Sequence, residues 1–175
     1  NSKEVKNELL LLKIDCKKIV LIPNPIHVAD VRKRATEKVK LPKFRNPELP
    51  FFVSIGRLCR QKGFDRLISW FNQSEVQANL LIIGDGPEAG NLIALRDKAG
   101  LRGQILFLNF QQNPFPFIAQ AKALLISSRW EGQPNVGLES IALGTKVIAS
   151  STSGGLLDLI GSVPNEMLVV ADSKE

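Results

Sequence analysis

The 175-residue chain is poor in the residues from which many active sites are built: one histidine, two cysteines and one methionine. His27 stands alone near the start, so no Ser–His–Asp arrangement can be drawn and no zinc set assembled; after a turn it reads as a surface residue without a role. Cys16 and Cys59 have neither metal-ligand spacing nor the look of a disulfide framework. That usage suits a reducing compartment, and a cytoplasmic location is expected. No apolar run approaches the ~20 residues of a membrane-spanning helix, and no signal-peptide pattern opens the chain. Beginning at Asn1 without methionine, it is expected to be a piece of a longer protein. Two phosphate-binding patterns are also missing. No glycine-rich loop ends in Gly-Lys-Ser/Thr, and Gly84-Asp85-Gly86 is followed by Ala89 where a dinucleotide fingerprint wants its third glycine.

Charge is present but uneven. The net formal charge is +6, yet residues 1–47 hold 12 Lys+Arg against 5 Asp+Glu, and the rest hold 11 against 12. The basic excess therefore sits in residues 3–45, where it reads equally as a solvated face or as a surface for an anionic membrane or acidic partner. Nucleic acid is not supported, because only Phe44 in that segment could stack a base. Hydrophobic content of 44% and a length of 175 residues fit one globular domain with a sizeable core.

Residues 4–12 predict a short helix left from a connection to a preceding domain, so residues 1–17 are set apart from a domain over 18–175. Residues 18–22 (KIVLI) predict a buried strand stopped by Pro23-Asn24-Pro25, residues 28–40 a basic helix, and residues 41–50 a linker with three prolines. From Phe51 the pattern is regular. Apolar runs at 51–55, 79–83, 104–108, 123–126, 146–149 and 167–170 predict strands, and helical stretches near 64–71, 87–99, 114–120, 135–143 and 156–160 separate them. Near-continuous apolar strands alternating with helices predict an α/β fold, a parallel sheet of about six strands covered on both faces. Loops rich in glycine and charge, at 56–63, 84–87, 109–113, 127–135 and 151–155, all fall at the carboxyl edge of that sheet. In open α/β sheets that edge is where ligands bind.

Residues 128–150, SRWEGQPNVGLESIALGTKVIAS, are the focus of the reading. A loop carrying Glu131 leads into a helix that opens at Asn135 and carries Glu139, with seven residues between the glutamates. The first-turn amides of Val136, Gly137 and Leu138 lack intrahelical partners and sit at the positive end of the helix dipole, an anion site in the making. Gly137 offers no side chain to hold a phosphate off the backbone, and Glu139 one turn further in suits the hydroxyls of a ribose. A glutamate near a helix start also complements the dipole by ~0.3–1 kcal/mol, so alone the pair admits a structural reading too. Arg57 and Lys62, near the end of the first strand, could neutralise a diphosphate; they could also be plain surface charges.

These segments, together with IPNP at 22–25, SIGRLCRQKGFDRLI at 54–68, IIGDGPE at 82–88 and SGG at 153–155, resemble the C-terminal, nucleotide-binding domain of family-4 retaining glycosyltransferases of the GT-B fold. The likeness runs from about residue 18 to 170. It implies a Rossmann-like three-layer sandwich and a nucleoside diphosphate sugar as donor, UDP-sugar by family frequency, with no metal or other cofactor required. It further implies that Arg57 and Lys62 bind the diphosphate, that Glu131 contacts the transferred sugar as the catalytic carboxylate, and that Asn135 with the amides of Val136, Gly137 and Leu138 holds phosphate. Glu139 would take the ribose, and Asn109, Phe110 and Gln111 would approach the base. Partners implied are an N-terminal acceptor-binding domain and a glycan or lipid-linked acceptor, in polysaccharide or lipopolysaccharide synthesis, with peripheral contact at the cytoplasmic membrane face. Without that other domain the chain is expected to be inactive. Two other functions stay open: a non-catalytic sugar-nucleotide-binding or regulatory module, and a nucleotide-sugar epimerase. Lys146 stands where the family usually has proline, and Asp158 where a glutamate is usual.

Overall fold

The computed structural model describes residues 2–74, 76–159 and 162–171. Six strands, β1 (Phe51–Ile55), β2 (Asn79–Ile83), β3 (Ile105–Leu108), β4 (Leu124–Ile126), β5 (Val147–Ser150) and β6 (Leu168–Ala171), form one sheet in the order β3-β2-β1-β4-β5-β6. Every neighbouring pair is parallel. Parallel strands need crossovers, and the helices supply them. The crossovers carry α3 (Phe64–Gln73), α4 (Ala89–Lys98), α5 (Phe115–Gln120), α6 (Asn135–Ala142) and a final 3-10 helix, while α1 (Lys3–Leu11) and α2 (Val28–Ala35) precede β1.

The period-two alternation of β2 divides the core between the two faces. Leu80 and Ile82 join Phe64, Leu67, Ile68 and Phe71 of α3 on one side. Leu81 and Ile83 join Phe115, Phe117 and Ile118 of α5 and Leu156 on the other. All five residues of β2 are buried, which is why the strand reads as an unbroken apolar run. In α3 the buried residues recur at helical spacing of three and four. Each such Leu, Ile or Phe removed from water contributes about 1.5–3 kcal/mol. The fold is thus the expected Rossmann-like sandwich with a parallel six-stranded sheet.

Four expectations need correction. Residues 18–22 form no strand: Asp15 caps a 3-10 turn over Cys16–Lys18, and the chain then runs on without regular structure, leaving Val20 77% and Ile22 69% exposed. Helix α2 stops at Ala35 rather than residue 40, capped at its start by His27, whose Nδ1 accepts from the Asp30 amide at 3.2 Å. The stretch 41–50 is no free linker, since Phe44 is buried against Phe51 with ring centroids 6.0 Å apart. The last helical stretch is a 3-10 helix over Gly154–Leu159, and residue 160 lies outside the described residues. Helix α1 forms as expected and docks there, the Lys3 amide donating to Asp158 Oδ2 at 2.9 Å.

Candidate functional site

The sheet order reverses between β1 and β4, so the chain leaves these neighbouring strands in opposite directions and opens a crevice at their carboxyl ends. Loop 56–63 follows β1 and loop 127–134 follows β4. Several hydrogen bonds tie the two together. Arg129 N donates to the Gln61 carbonyl at 2.7 Å, Ser127 Oγ to the Lys62 carbonyl at 3.0 Å, and Gln61 Nε2 to the Trp130 carbonyl at 3.1 Å. The Arg129 guanidinium grips both oxygens of Asp65 at 2.8 and 2.7 Å, and these bonds hold that carboxyl below its usual range despite partial burial. Gly63 makes this approach possible: its φ is 63°, and a Cβ there would lie 2.2 Å from the Ser127 carbonyl oxygen.

The zipped loops bring together two residues 69 positions apart. Lys62 Nζ donates to Glu131 Oε1, which also accepts from Ser128 Oγ at 2.7 Å. The Glu131 side chain is only 8% exposed and that of Lys62 23%, so the pair is largely withdrawn from water. Behind Glu131 the backbone is fixed by Gly154, whose φ of 53° and absent Cβ admit the Glu131 carbonyl oxygen, 2.0 Å from where a Cβ would stand.

Helix α6 starts beside this pair. Its N-cap is Pro134 and no side chain caps it, although a Ser, Thr or Asp cap is the common solution. Of the three first-turn amides, that of Gly137 already donates to the Pro134 carbonyl at 3.0 Å. A Cβ on Gly137 would meet Leu156 at 3.0 Å and Ile126 at 3.3 Å. The glycine there lets α6 pack on the core, which differs from the sequence argument that it clears a way for phosphate. One turn on, burial pushes the Glu139 carboxyl above its usual range, and the charge of Arg34 on α2 opposes that shift.

The crevice lined by Ser54, Lys62, Phe64, Glu131, Pro134 and Val136 encloses about 10 Å³, at most one water. Across Ile55, which lines both, lies an open cavity of about 490 Å³ bounded by Gly56, Arg57, Gly84, Asp85, Phe110 and Gln111. Arg57 is exposed, and Phe110 presents its ring at 70% exposure while its amide donates to Asp85 Oδ2 at 2.9 Å. Gln111 Nε2 turns back onto the Asn109 and Phe110 carbonyls at 3.0 and 3.2 Å. The expected residues thus form two neighbouring groups: Lys62, Glu131 and the start of α6 in one, and Arg57, Phe110 and Gln111 in the other. Sequence reasoning did not single out Ser128, Arg129 or Asp85, which the structure brings to these groups. Among the described residues no group of three or more His, Cys, Asp or Glu could hold a metal ion.

A family model described as "Glycosyl transferases group 1" matches residues 35–175. The chain belongs to the group 1 glycosyltransferases. Among curated relatives, it is 30% identical over 165 residues to an uncharacterized glycosyltransferase of Methanocaldococcus jannaschii, covering 91% of this chain and 40% of that protein. It is 28% identical over 161 residues to the N-acetylgalactosamine-N,N'-diacetylbacillosaminyl-diphospho-undecaprenol 4-alpha-N-acetylgalactosaminyltransferase of Campylobacter jejuni, covering 92% of this chain and 42% of that one. In fold it matches Anabaena HepE, solved in complex with UDP, with a TM-score of 0.81 at 19% identity over 100% of this chain and 49% of the other. This glycosyltransferase chain therefore spans less than half the length of the relatives it matches, and its fold is that of one domain of a GT-B enzyme.

Proposed function

We propose that the chain is the donor-binding domain of a retaining glycosyltransferase, moving a sugar from a nucleoside diphosphate sugar, preferably a UDP-sugar, to a glycan or lipid-linked acceptor. One observation carries this reading: Lys62, Glu131 and the uncapped start of α6 converge where the sheet order reverses. Lys62 and Arg57 neutralise the diphosphate, and the amides at the start of α6, with Asn135, take phosphate oxygens. An ammonium has three donors, so Lys62 can serve phosphate while holding Glu131. Glu131 faces the transferred sugar, Glu139 accepts from the ribose hydroxyls, and the 490 Å³ cavity beside Phe110 receives the base. As the bond to the diphosphate breaks, positive charge gathers on the anomeric carbon and negative charge on the leaving oxygens. Cationic groups already in place stabilise the latter without a metal. The UDP bound to a protein of the same fold supports the choice of base.

Residues 1–17 are read as the end of an interdomain connection and residues 18–175 as the donor domain. The acceptor-binding domain belongs to the rest of the longer protein, and catalysis needs the cleft the two would close. The basic segment at 3–45 suits a cytoplasmic enzyme touching an anionic membrane surface. Calorimetric titration with UDP, GDP and ADP, each with and without magnesium, tests the donor assignment. Magnesium-independent binding that favours UDP is the expected result, and binding of none of the three overturns it.

A further inference from the structure

Asn24 lies in the irregular segment after the first 3-10 turn, between Pro23 and Pro25. Each proline fixes its own φ, and the residue before a proline is confined to extended conformations, so Asn24 is presented from a stiff stretch of chain. Its partners lie more than 100 residues away. The Asn24 amide donates to Gln133 Oε1 at 2.6 Å, and its Nδ2 donates to the Gln133 carbonyl at 3.2 Å and to Asn135 Oδ1 at 2.6 Å. These bonds grip the chain on both sides of Pro134, the residue from which α6 starts. They also decide what Asn135 does. A carboxamide at a helix start can bond local backbone instead, but here its oxygen is engaged outward by Asn24, and α6 begins without a side-chain cap.

We infer that Asn24 is a positioning residue of the donor site: it fixes the 133–135 loop between Glu131 and α6 and keeps the Asn135 oxygen away from the helix start. The inference rests on the donor-site reading above. It assigns Asn24 no contact with the donor. The prolines flanking it would hold the segment rigid without it, but it is the Asn24 side chain that reaches both Gln133 and Asn135.

The test uses the full chain and two readouts. In the first, Asn24→Ala is titrated with UDP and with inorganic diphosphate, alone and combined with Asn135→Ala. Both ligands should weaken by about fivefold or more, the weight of one or two neutral hydrogen bonds. That loss should shrink when Asn135 is already alanine, because the two residues act as a pair. Unchanged affinity, or a loss that simply adds to that of Asn135→Ala, overturns the inference while leaving the donor site standing. The second readout needs no ligand: amide hydrogen exchange at Val136 and Leu138 should be faster in Asn24→Ala than in the parent chain at matched stability. If the parent binds neither ligand, the donor-site reading fails, and exchange rates unchanged by the substitution then overturn the positioning role separately.

Discussion

Glu139 is a half-buried carboxylate on α6 whose folded-state pKa burial has raised, with the charge of Arg34 opposing the shift. Because its charged form is disfavoured in the fold, Glu139 weakens stability at any pH above its raised value. That penalty fades as pH falls through the raised value and then the ordinary value of 4.5, below which folded and unfolded forms are protonated alike. Glu139→Gln should therefore raise Tm at neutral pH, and the gain should disappear in titrations carried down to about pH 4. The same substitution should weaken UDP while sparing inorganic diphosphate if Glu139 serves the ribose. A variant that is more stable and a poorer nucleotide binder is the expected outcome, measured by thermal unfolding and calorimetry together. Equal losses for both ligands would sink the ribose assignment. At this scale the amino-acid sequence was informative about types and poor about partners. The two glutamates and Lys62 stood out by their spacing and loop position. That Lys62 reaches Glu131 across 69 residues, or that Asn24 reaches Asn135 across 111, leaves no local trace.

Among elements, the turn from the 3-10 segment Arg60–Lys62 into α3 is a tight junction of the site, because Gly63 combines a left-handed backbone with a carbonyl pressed against it. Gly63→Ala should destabilise by about 2 kcal/mol or more in urea unfolding, since backbone strain of ~1–2 kcal/mol adds to the displacement of Ser127. Gly63→Asn separates the two causes. Asparagine tolerates the left-handed region, so a comparable loss in that variant identifies the clash with Ser127 as the larger of the two. Elements buried on both faces were the easiest to read from sequence: β1 and β2 have the bounds their apolar runs indicate, and α3 extends only two residues further. Residues 18–22 were misread because an apolar run states only a preference for cover. A strand also needs a neighbour to pair with, and residues 18–22 pair with no strand of the sheet, whose edges are β3 and β6. Gly137 shows a similar limit: the sequence suggests a residue that leaves phosphate room, but only the packed fold reveals Leu156 against the point where a Cβ would stand.

The sheet is built of two halves, a βαβαβ unit from β1 to β3 and a second run from β4 to β6 whose last crossover carries the 3-10 helix Gly154–Leu159. β1 and β2 share five residue pairs in register, whereas β1 and β4 share a single pair, Val53 with Leu124. The central join is therefore the sheet's thinnest seam, reinforced by Ser54 Oγ donating to the Leu125 carbonyl at 2.7 Å and by the Lys62–Glu131 pair above it. A nucleotide seated over that join would act as a clasp between two separately woven pieces. Bound at about 100 times its Kd, it would make openings through the seam roughly 100-fold rarer. Hydrogen exchange at the amides of Val53 and Lys122, which donate across the seam to the Ala123 and Phe51 carbonyls at 3.1 and 2.8 Å, should slow on that scale, while amides that exchange by local fraying at the far ends of α1 and α4 should hardly respond. A ligand in this position would make the donor part of the domain's mechanical cohesion as well as its cargo.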